Sequence, residues 1–130
     1  MVSLSSKHLI IYKMKEYFVE IAVSLNKIIP EDFNKAILEI KRLEGNVGFT
    51  GFYFDLKGDK KWLNIFDFDL DHKVIQKLYK STQENDLCHK NWNRSIFTLL
   101  PDNKFEIEYI WDQELQDQVD GYNNESKPIA

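Results

Sequence analysis

The sequence predicts an α+β domain: an antiparallel sheet of about four to five strands with two main helices packed largely on one face. Three observations lead to this prediction. Apolar residues recur at helical spacing in two separate segments, a central aromatic-rich segment folds back on itself, and a strictly alternating hairpin follows the second helical segment. The order helix, strands, helix, hairpin is typical of domains whose helices gather on one side of a sheet. The 130 residues suit one domain.

The first helix is predicted over residues 14–29, where Phe18, Ile21 and Leu25 recur three and four residues apart. Pro30 ends it, because the proline ring removes a donor and disfavours the α conformation of the preceding residue. Residues 1–13 are Ser-rich and weakly patterned. They are expected to be a disordered leader or a start-codon artefact. The domain is therefore predicted over residues 14–120, with a loose tail over 121–130.

The central segment is predicted to contain a hairpin. Residues 35–44 fit a helix or a strand equally well, and residues 47–56 are predicted to be an aromatic strand. A turn over residues 57–60 leads to a return strand over 62–68. Alternation would place Trp62, Asn64, Phe66 and Phe68 on one face of that strand, and Leu63, Ile65 and Asp67 on the other.

The second helix is predicted over residues 71–85, with Asp69 or Asp71 as its N-cap. Its apolar stripe comprises Val74, Ile75, Leu78 and Tyr79.

A closing hairpin is predicted from residues 95–100 and 104–111, around the turn Pro101-Asp102-Asn103. Alternation turns Phe105, Ile107, Tyr109 and Trp111 to one side and Lys104, Glu106 and Glu108 to the other. Core burial is expected for Tyr109, while Trp111 could be buried or exposed. Residues 112–120 could form a short helix docked by Leu115 and Val119.

Charge is concentrated at the C-terminal end. Residues 105–126 carry seven acidic side chains and no Lys or Arg, within a net charge of −4 for the whole chain. An acidic surface with aromatic anchors suits a basic protein partner and would repel nucleic-acid phosphates. The plain alternative is a solvated acidic tail that binds nothing. With one cysteine, Cys88, and no apolar run of about 20 residues, the chain is expected to be cytoplasmic, with neither a disulfide nor membrane contact.

The sequence offers no positive sign of catalysis, so a non-enzyme without cofactor or metal is expected. Asp67, Asp69 and Asp71 imitate the start of a calcium loop, but His72 and Leu78 occupy the positions that need Gly and Glu. A strand end followed by a helix cap explains these aspartates better. Cys88 and His89 adjoin, but they lack the paired spacing of zinc ligands.

Several segments together resemble the YezG-like antitoxin family of small bacterial immunity proteins. The resemblance rests on a helix that leads into Ile28-Ile29-Pro30-Glu31-Asp32-Phe33, a central hairpin, a second helix leading to Trp92, and the closing hairpin. It covers roughly residues 14–120, through apolar and turn positions. Phe33 departs from the pattern, since Trp is more usual there. The resemblance implies an immunity protein that binds the nuclease domain of a cognate secreted toxin. A contact-dependent-inhibition immunity protein of another lineage is the near alternative.

The predicted function is therefore non-catalytic neutralisation of a cognate toxin by occlusion. The predicted toxin-binding residues are Asp67, Asp69, Asp71, Trp111, Asp112, Glu114, Asp117 and Asp120. Two alternatives remain open. One is a metal-dependent hydrolase that uses Asp67, Asp69 and Asp71 with His72. The other is a protein-interaction scaffold with a different partner.

Overall fold

The computed structural model describes residues 6–43, 45–85 and 91–125, with side chains described for 15–43, 45–84 and 91–121. The helices are α1 (Ser6–Ile28), α2 (His72–Asn85) and α3 (Gln113–Glu125). The strands are β1 (Phe33–Leu43), β2 (Asn46–Asp55), β3 (Lys60–Trp62), β4 (Arg94–Leu99) and β5 (Phe105–Ile110). A short 3-10 helix, Ile65–Asp67, lies between β3 and α2.

The five strands form one antiparallel sheet in the order β3-β2-β1-β4-β5. The predicted α+β class is confirmed. The ambiguous segment 35–44 is the central strand β1, because pairing on both sides satisfies its backbone groups. Ala36, Leu38 and Ile40 are fully buried while their neighbours in β1 are not. This two-residue period is the burial pattern of a strand with one face on the core.

One face of the sheet, here called the covered face, carries the core, against which the apolar residues of α1 and α2 pack. Its largest buried side chains include Trp92, Phe97, Ile21, Leu25, Leu38, Ile40, Ile75, Leu78 and Leu99. The predicted stripe of α2 is confirmed, with Val74, Ile75 and Leu78 buried and Tyr79 packed against the core. The aromatic side of β5 also joins the core, since Phe105, Ile107 and Tyr109 pack against it.

The opposite face of the sheet, here called the open face, keeps solvent exposure. Paired residues of antiparallel strands point to the same side, so Phe52 and Trp62, which are register partners, share this face. Phe52 also pairs with Ile37, and Glu106 pairs with Thr98 at the far side of the sheet. Each of these five side chains is half-buried or exposed.

The predicted return strand over 62–68 is wrong beyond its first residue. β3 ends at Trp62, and Asn64 then caps the 3-10 helix by accepting a hydrogen bond on its Oδ1 from the backbone N–H of Phe66 at 3.2 Å. Such a side-chain bond offers the backbone an alternative to strand pairing. Leu63 is consequently buried, whereas Phe66 is fully exposed.

Two helix boundaries differ from the prediction. α1 begins at Ser6, not at residue 14, because no Gly or Pro interrupts the intervening residues. It therefore includes most of the segment assigned to a leader. α3 continues to Glu125, so part of the predicted loose tail is helical. The turn before β5 is confirmed by Asn103, whose φ of 63° is left-handed.

Candidate functional site

Trp92 organises the end of the sheet where the acidic segment begins. Its side chain is 1% exposed, and its indole Nε1 donates a hydrogen bond to Thr82 Oγ1 at 2.8 Å. Its ring packs edge-on against Tyr79, with 5.4 Å between ring centroids. Through these contacts α2 is fixed to the segment that enters β4.

A shallow depression of ≈ 580 Å³ opens beside Trp92, lined by Arg42, Tyr79, Asn91, Trp111 and Gln116. The Arg42 guanidinium lies over the Tyr79 ring, 3.4 Å from its centroid. Its Nε and Nη2 donate hydrogen bonds to the Trp92 carbonyl at 3.3 and 3.2 Å. Partial burial lowers the pKa of Arg42 below its ordinary value, but a guanidinium stays charged in proteins. The depression thus contains a fixed cation beside aromatic rings.

Asp112 joins the sheet to α3. Its backbone N–H donates to Asn93 Oδ1 at 2.7 Å, and its carbonyl accepts from Asn93 Nδ2 at 2.8 Å. Its Oδ1 accepts from the backbone N–H of Leu115 at 3.1 Å, as an N-cap does. Its Oδ2 lies 3.1 Å from Arg94 Nη1. The Leu115 hydrogen bond and the Arg94 cation hold the pKa of Asp112 below its ordinary value. This predicted toxin-binding carboxylate is therefore engaged within the fold.

The next three acids of α3 face solvent: Glu114, Asp117 and Asp120 are all exposed. Their spacing of three residues places them along one stripe of the helix. Asp117 accepts a hydrogen bond from Gln113 at 2.9 Å, which holds its carboxylate on the helix surface. The predicted docking residues Leu115 and Val119 are half-buried on the other side. α3 is thus a helix with an acidic outer surface, as the sequence predicted.

Trp111 lies at the start of this acidic stripe. Its side chain is 46% exposed, and its indole Nε1 donates to Gln113 Oε1 at 3.0 Å. Trp111 follows the last residue of β5, Ile110, and is not part of the core against which Tyr109 packs. A half-exposed tryptophan at the rim of a depression is the kind of side chain that anchors protein interfaces.

Asp67, Asp69 and Asp71, here called the acidic corner, each have a partner in the fold. Asp67 accepts a hydrogen bond from Asn64 Nδ2 at 3.1 Å, and Asp69 lies 3.8 Å from Lys27 Nζ. Asp71 is the N-cap of α2, since its Oδ1 accepts from the backbone N–H of Lys73 at 2.9 Å. Asp67 and Asp71 thus stabilise the connection between β3 and α2, whereas Asp69 lies near α1.

The two acidic groups do not form one cluster. Asp71 is the N-cap of α2. Tyr79 lines the depression and lies eight residues further along the chain, which corresponds to about 12 Å of helix. Asp67 and Asp69 follow β3, whereas α3 follows β5, the strand at the opposite edge of the sheet. Gln116 of α3 lines the depression, whereas Asp67, Asp69 and Asp71 do not.

A metal centre is not supported by the geometry. Within the described side chains, no group of three or more His, Cys, Asp or Glu residues is placed to hold an ion. His72 instead packs edge-on against Phe49, with 5.3 Å between ring centroids. Cys88 and His89 lie outside the described residues.

One charged network was missed by the sequence reasoning. Glu31 Oε2 accepts hydrogen bonds from Tyr53 Oη at 2.6 Å and from Lys61 Nζ at 2.9 Å, and Lys61 also lies 3.3 Å from buried Asp55. The Tyr53 hydroxyl and the Lys61 cation lower the pKa of Glu31, and the Glu31 carboxylate raises the pKa of both partners. These contacts tie the end of α1 to the β2–β3 hairpin.

A second missed feature is an aromatic and basic cluster on the open face. Two aromatic residues of β2, Phe49 and Tyr53, belong to the core. Phe52, Phe54 and Trp62 instead lie on the open face, where Trp62 is 65% exposed. The signal was the run Phe52-Tyr53-Phe54, because consecutive residues of a strand cannot all face the same side.

The chain matches no protein-family model and no curated protein sequence. None of the helices in the described ranges is both long and apolar enough to cross a membrane.

Proposed function

We propose that this protein is an immunity protein, which binds and neutralises a cognate secreted bacterial toxin in the cytoplasm of the toxin-producing cell. A nuclease domain is the favoured target, because its substrate cleft is basic. The observation that carries the proposal is the acidic stripe of α3, Glu114, Asp117 and Asp120, placed beside half-exposed Trp111. The resemblance to YezG-like immunity proteins supplies the biological setting.

The acidic stripe suits the first stage of such binding. Its carboxylates lie on a segment without Lys or Arg, from residue 105 to 126, so their potentials add. Complementary charge steers a basic partner toward the surface and raises the association rate. Bound to a nuclease, the same surface would occupy the region that otherwise attracts phosphate.

Trp111 suits the second stage. Its exposed ring can enter a pocket of the partner, and buried aromatic anchors mainly slow dissociation. The neighbouring depression, with Arg42 held against Tyr79, could in turn receive a side chain of the toxin. An acidic or aromatic side chain would best match that cation and ring.

The alternative of a metal-dependent hydrolase has less support. Asp67, Asp69 and Asp71 have separate local hydrogen-bond or ion-pair partners and do not converge with His72. A scaffold for a partner other than a toxin would use the same surface of α3. The scaffold and the immunity protein differ in the identity of the partner. A toxin gene next to the gene for this protein would favour the immunity protein.

The test compares two charge reversals of equal size. Asp117→Lys with Asp120→Lys changes the α3 stripe, and Asp67→Lys with Asp69→Lys changes the acidic corner by the same net charge. The ligand is the C-terminal domain of a secreted toxin, identified by sequencing the genes on either side of this one, and it is titrated by calorimetry at low salt. We expect the α3 pair to weaken binding roughly 10- to 100-fold and the corner pair to leave it nearly unchanged.

Asp112 is left unchanged in both variants. Replacing it would remove the N-cap of α3 and the contact with Arg94, and a loss of binding could then not be distinguished from a loss of folding. Trp111→Ala adds a kinetic readout, with dissociation about tenfold faster or more and association little changed. Unchanged affinity of the α3 pair would remove this surface from the proposal. A toxin whose activity persists at saturating concentrations of the protein would overturn neutralisation itself.

A further inference from the structure

The depression beside Trp92 contains a cation without a counter-charge. Among the described residues that line it, Arg42 is the charged one, and the others are Tyr79, Asn91, Trp111 and Gln116. Arg42 takes part in none of the ion pairs of the described side chains, whose cations are Lys27, Lys61, Arg94 and Lys104. An anion that entered the depression would therefore find a guanidinium that no described carboxylate occupies.

The hydrogen bonds of Arg42 leave one edge of its planar group available. Nε and Nη2 both donate to the Trp92 carbonyl, at 3.3 and 3.2 Å, which uses the edge that these two atoms share. The other edge, formed by Nη1 and Nη2, has no hydrogen-bond acceptor among the described residues. Two parallel N–H groups along such an edge match the two oxygens of a carboxylate.

The Arg42 side chain is already ordered. Its guanidinium carbon lies 3.4 Å from the centroid of the Tyr79 ring, and the Trp92 carbonyl fixes its rotation. A ligand therefore loses little free energy in ordering this side chain. Partial burial also lowers the pKa of Arg42, because water solvates its charge incompletely. A bound anion would replace part of that lost hydration.

The other lining residues offer an apolar surface and amide groups. The Trp111 ring is 46% exposed at the rim. Gln116 Nε2 donates to Asp120 Oδ1 at 3.0 Å, which leaves the amide oxygen of Gln116 to accept from a ligand. Asn91 has a left-handed φ of 60°, and its backbone N–H donates to Gln83 Oε1 at 2.8 Å. The position of Asn91 at the rim is thus fixed by the fold.

We infer that the depression binds a monocarboxylate with a flat apolar group beside its charge. The free edge of Arg42 takes the carboxylate, and the exposed ring of Trp111 packs against the flat group. A phosphate dianion fits less well, because one cation is present and α3 contains Asp117 and Asp120 but no Lys or Arg.

Two sources share this chemistry: a free aromatic acid, and an aromatic residue at the carboxyl end of a partner chain. The second source rests on the proposed function, whereas the site itself does not.

The test uses small probes and two-dimensional NMR spectra of the full chain. The probes are 3-phenylpropionate, its neutral analogue 3-phenylpropionamide, and inorganic phosphate. Binding is read at the backbone N–H of Asn91 and the indole N–H of Trp111, with the indole N–H of Trp62 on the open face as the reference. We expect saturable binding of 3-phenylpropionate in the millimolar range, and binding about tenfold weaker or less for the other two probes.

Matched variants separate the Arg42 fork from general charge. Arg42→Gln should weaken binding of 3-phenylpropionate roughly tenfold or more. Lys41→Gln removes the same charge from the neighbouring residue, which pairs with Gly48 and Arg94 on the open face, and should change the affinity less than about twofold. Circular dichroism checks the fold of Arg42→Gln. Trp111→Ala leaves Arg42 in place, and it should weaken binding several-fold when read at Asn91.

Equal affinity for the neutral amide would overturn the inference. So would equal losses in Arg42→Gln and Lys41→Gln, or a shift at Trp62 without one at Asn91. If Arg42→Gln does not fold, unchanged binding by Trp111→Ala overturns it instead.

Calorimetry of the toxin domain with saturating 3-phenylpropionate then identifies the source of the carboxylate. Weakened toxin binding assigns it to the toxin, and unchanged binding assigns it to a free acid. A toxin domain that does not bind at all would remove the proposed function and leave the result with the probes intact.

Discussion

The two faces of the sheet carry similar residues with different consequences. On the covered face Trp92 is 1% exposed and its indole is bonded to Thr82; on the open face Trp62 is 65% exposed beside Lys60. β2 supplies Tyr53 to the first face and Phe52 to the second. Coverage by helices, not the type of residue, decides whether an aromatic side chain stabilises the fold or remains available to a partner.

The largest difference between the faces should appear when their tryptophans are truncated. Trp92→Ala removes a fully packed ring and leaves Thr82 without its indole partner, so we expect a loss of about 3–5 kcal/mol in the free energy of unfolding. Trp62→Ala should cost less than about 1 kcal/mol, because most of its ring is already in water. Urea denaturation of the two variants at micromolar concentration, followed by circular dichroism, measures both. Equal losses would contradict the assignment of the faces.

Two glycines of β2, Gly51 and Gly48, allow a second comparison, in which the expected change in stability is smaller. A Cβ at Gly51, on the covered face, would lie 3.0 Å from Leu63 Cδ1 and 3.3 Å from Ile65 Cδ1, whereas a Cβ at Gly48 would have no atom within 4 Å. We expect Gly51→Ala to destabilise the protein by about 1–3 kcal/mol through overpacking. Gly48→Ala should be neutral or stabilising by up to about 1 kcal/mol. Thermal unfolding of the two variants gives the signs; a stabilising Gly51→Ala would show that the covered face has room.

The smallest effect is a pH dependence at the edge of the covered face. Hydrogen bonds from Tyr53 and Lys61 hold the pKa of Glu31 below its ordinary value of 4.5. A depressed carboxyl pKa contributes stability above the unfolded value and loses it as the pH falls through the folded value. Glu31→Gln should therefore lower the Tm at neutral pH by no more than about 3 °C, because Glu31 is exposed and solvent screens its contacts, and the difference should vanish in acid. Glu106→Gln on the open face is the control, with Tm nearly unchanged across the same pH range.

Local chemistry made much of the fold predictable. Asp71 caps α2 and Asn103 adopts the left-handed turn, because each acts on residues only a few positions away. The identity of residues 35–44 could not be predicted from their apolar spacing, since pairing with both β2 and β4 determines it. The end of β3 was missed because Asn64 diverts the chain through a hydrogen bond that competes with strand pairing.

The site was predictable in its charge but not in its contacts. The acidic stripe of α3 follows from spacing alone, and Glu114, Asp117 and Asp120 are exposed as expected. Asp112 could not be set apart from them in the sequence, because its partner Asn93 lies 19 residues away. Arg42 was overlooked for the same reason, since its carbonyl partner Trp92 is 50 residues distant.

The strand order also bears on how the chain folds. Strands that follow each other in the chain form hairpins, as β1 does with β2 and β4 does with β5. The pairing of β1 with β4 instead joins residues such as Lys41 and Arg94, which are more than fifty residues apart. A two-stranded hairpin alone is marginal in water, and long-range pairing must first overcome loop-closure entropy. We expect the pairing of β1 with β4 to limit the folding rate. During synthesis, the sheet cannot be completed until β4 and β5 have left the ribosome, and until then the edge of β1 that pairs with β4 has no strand partner.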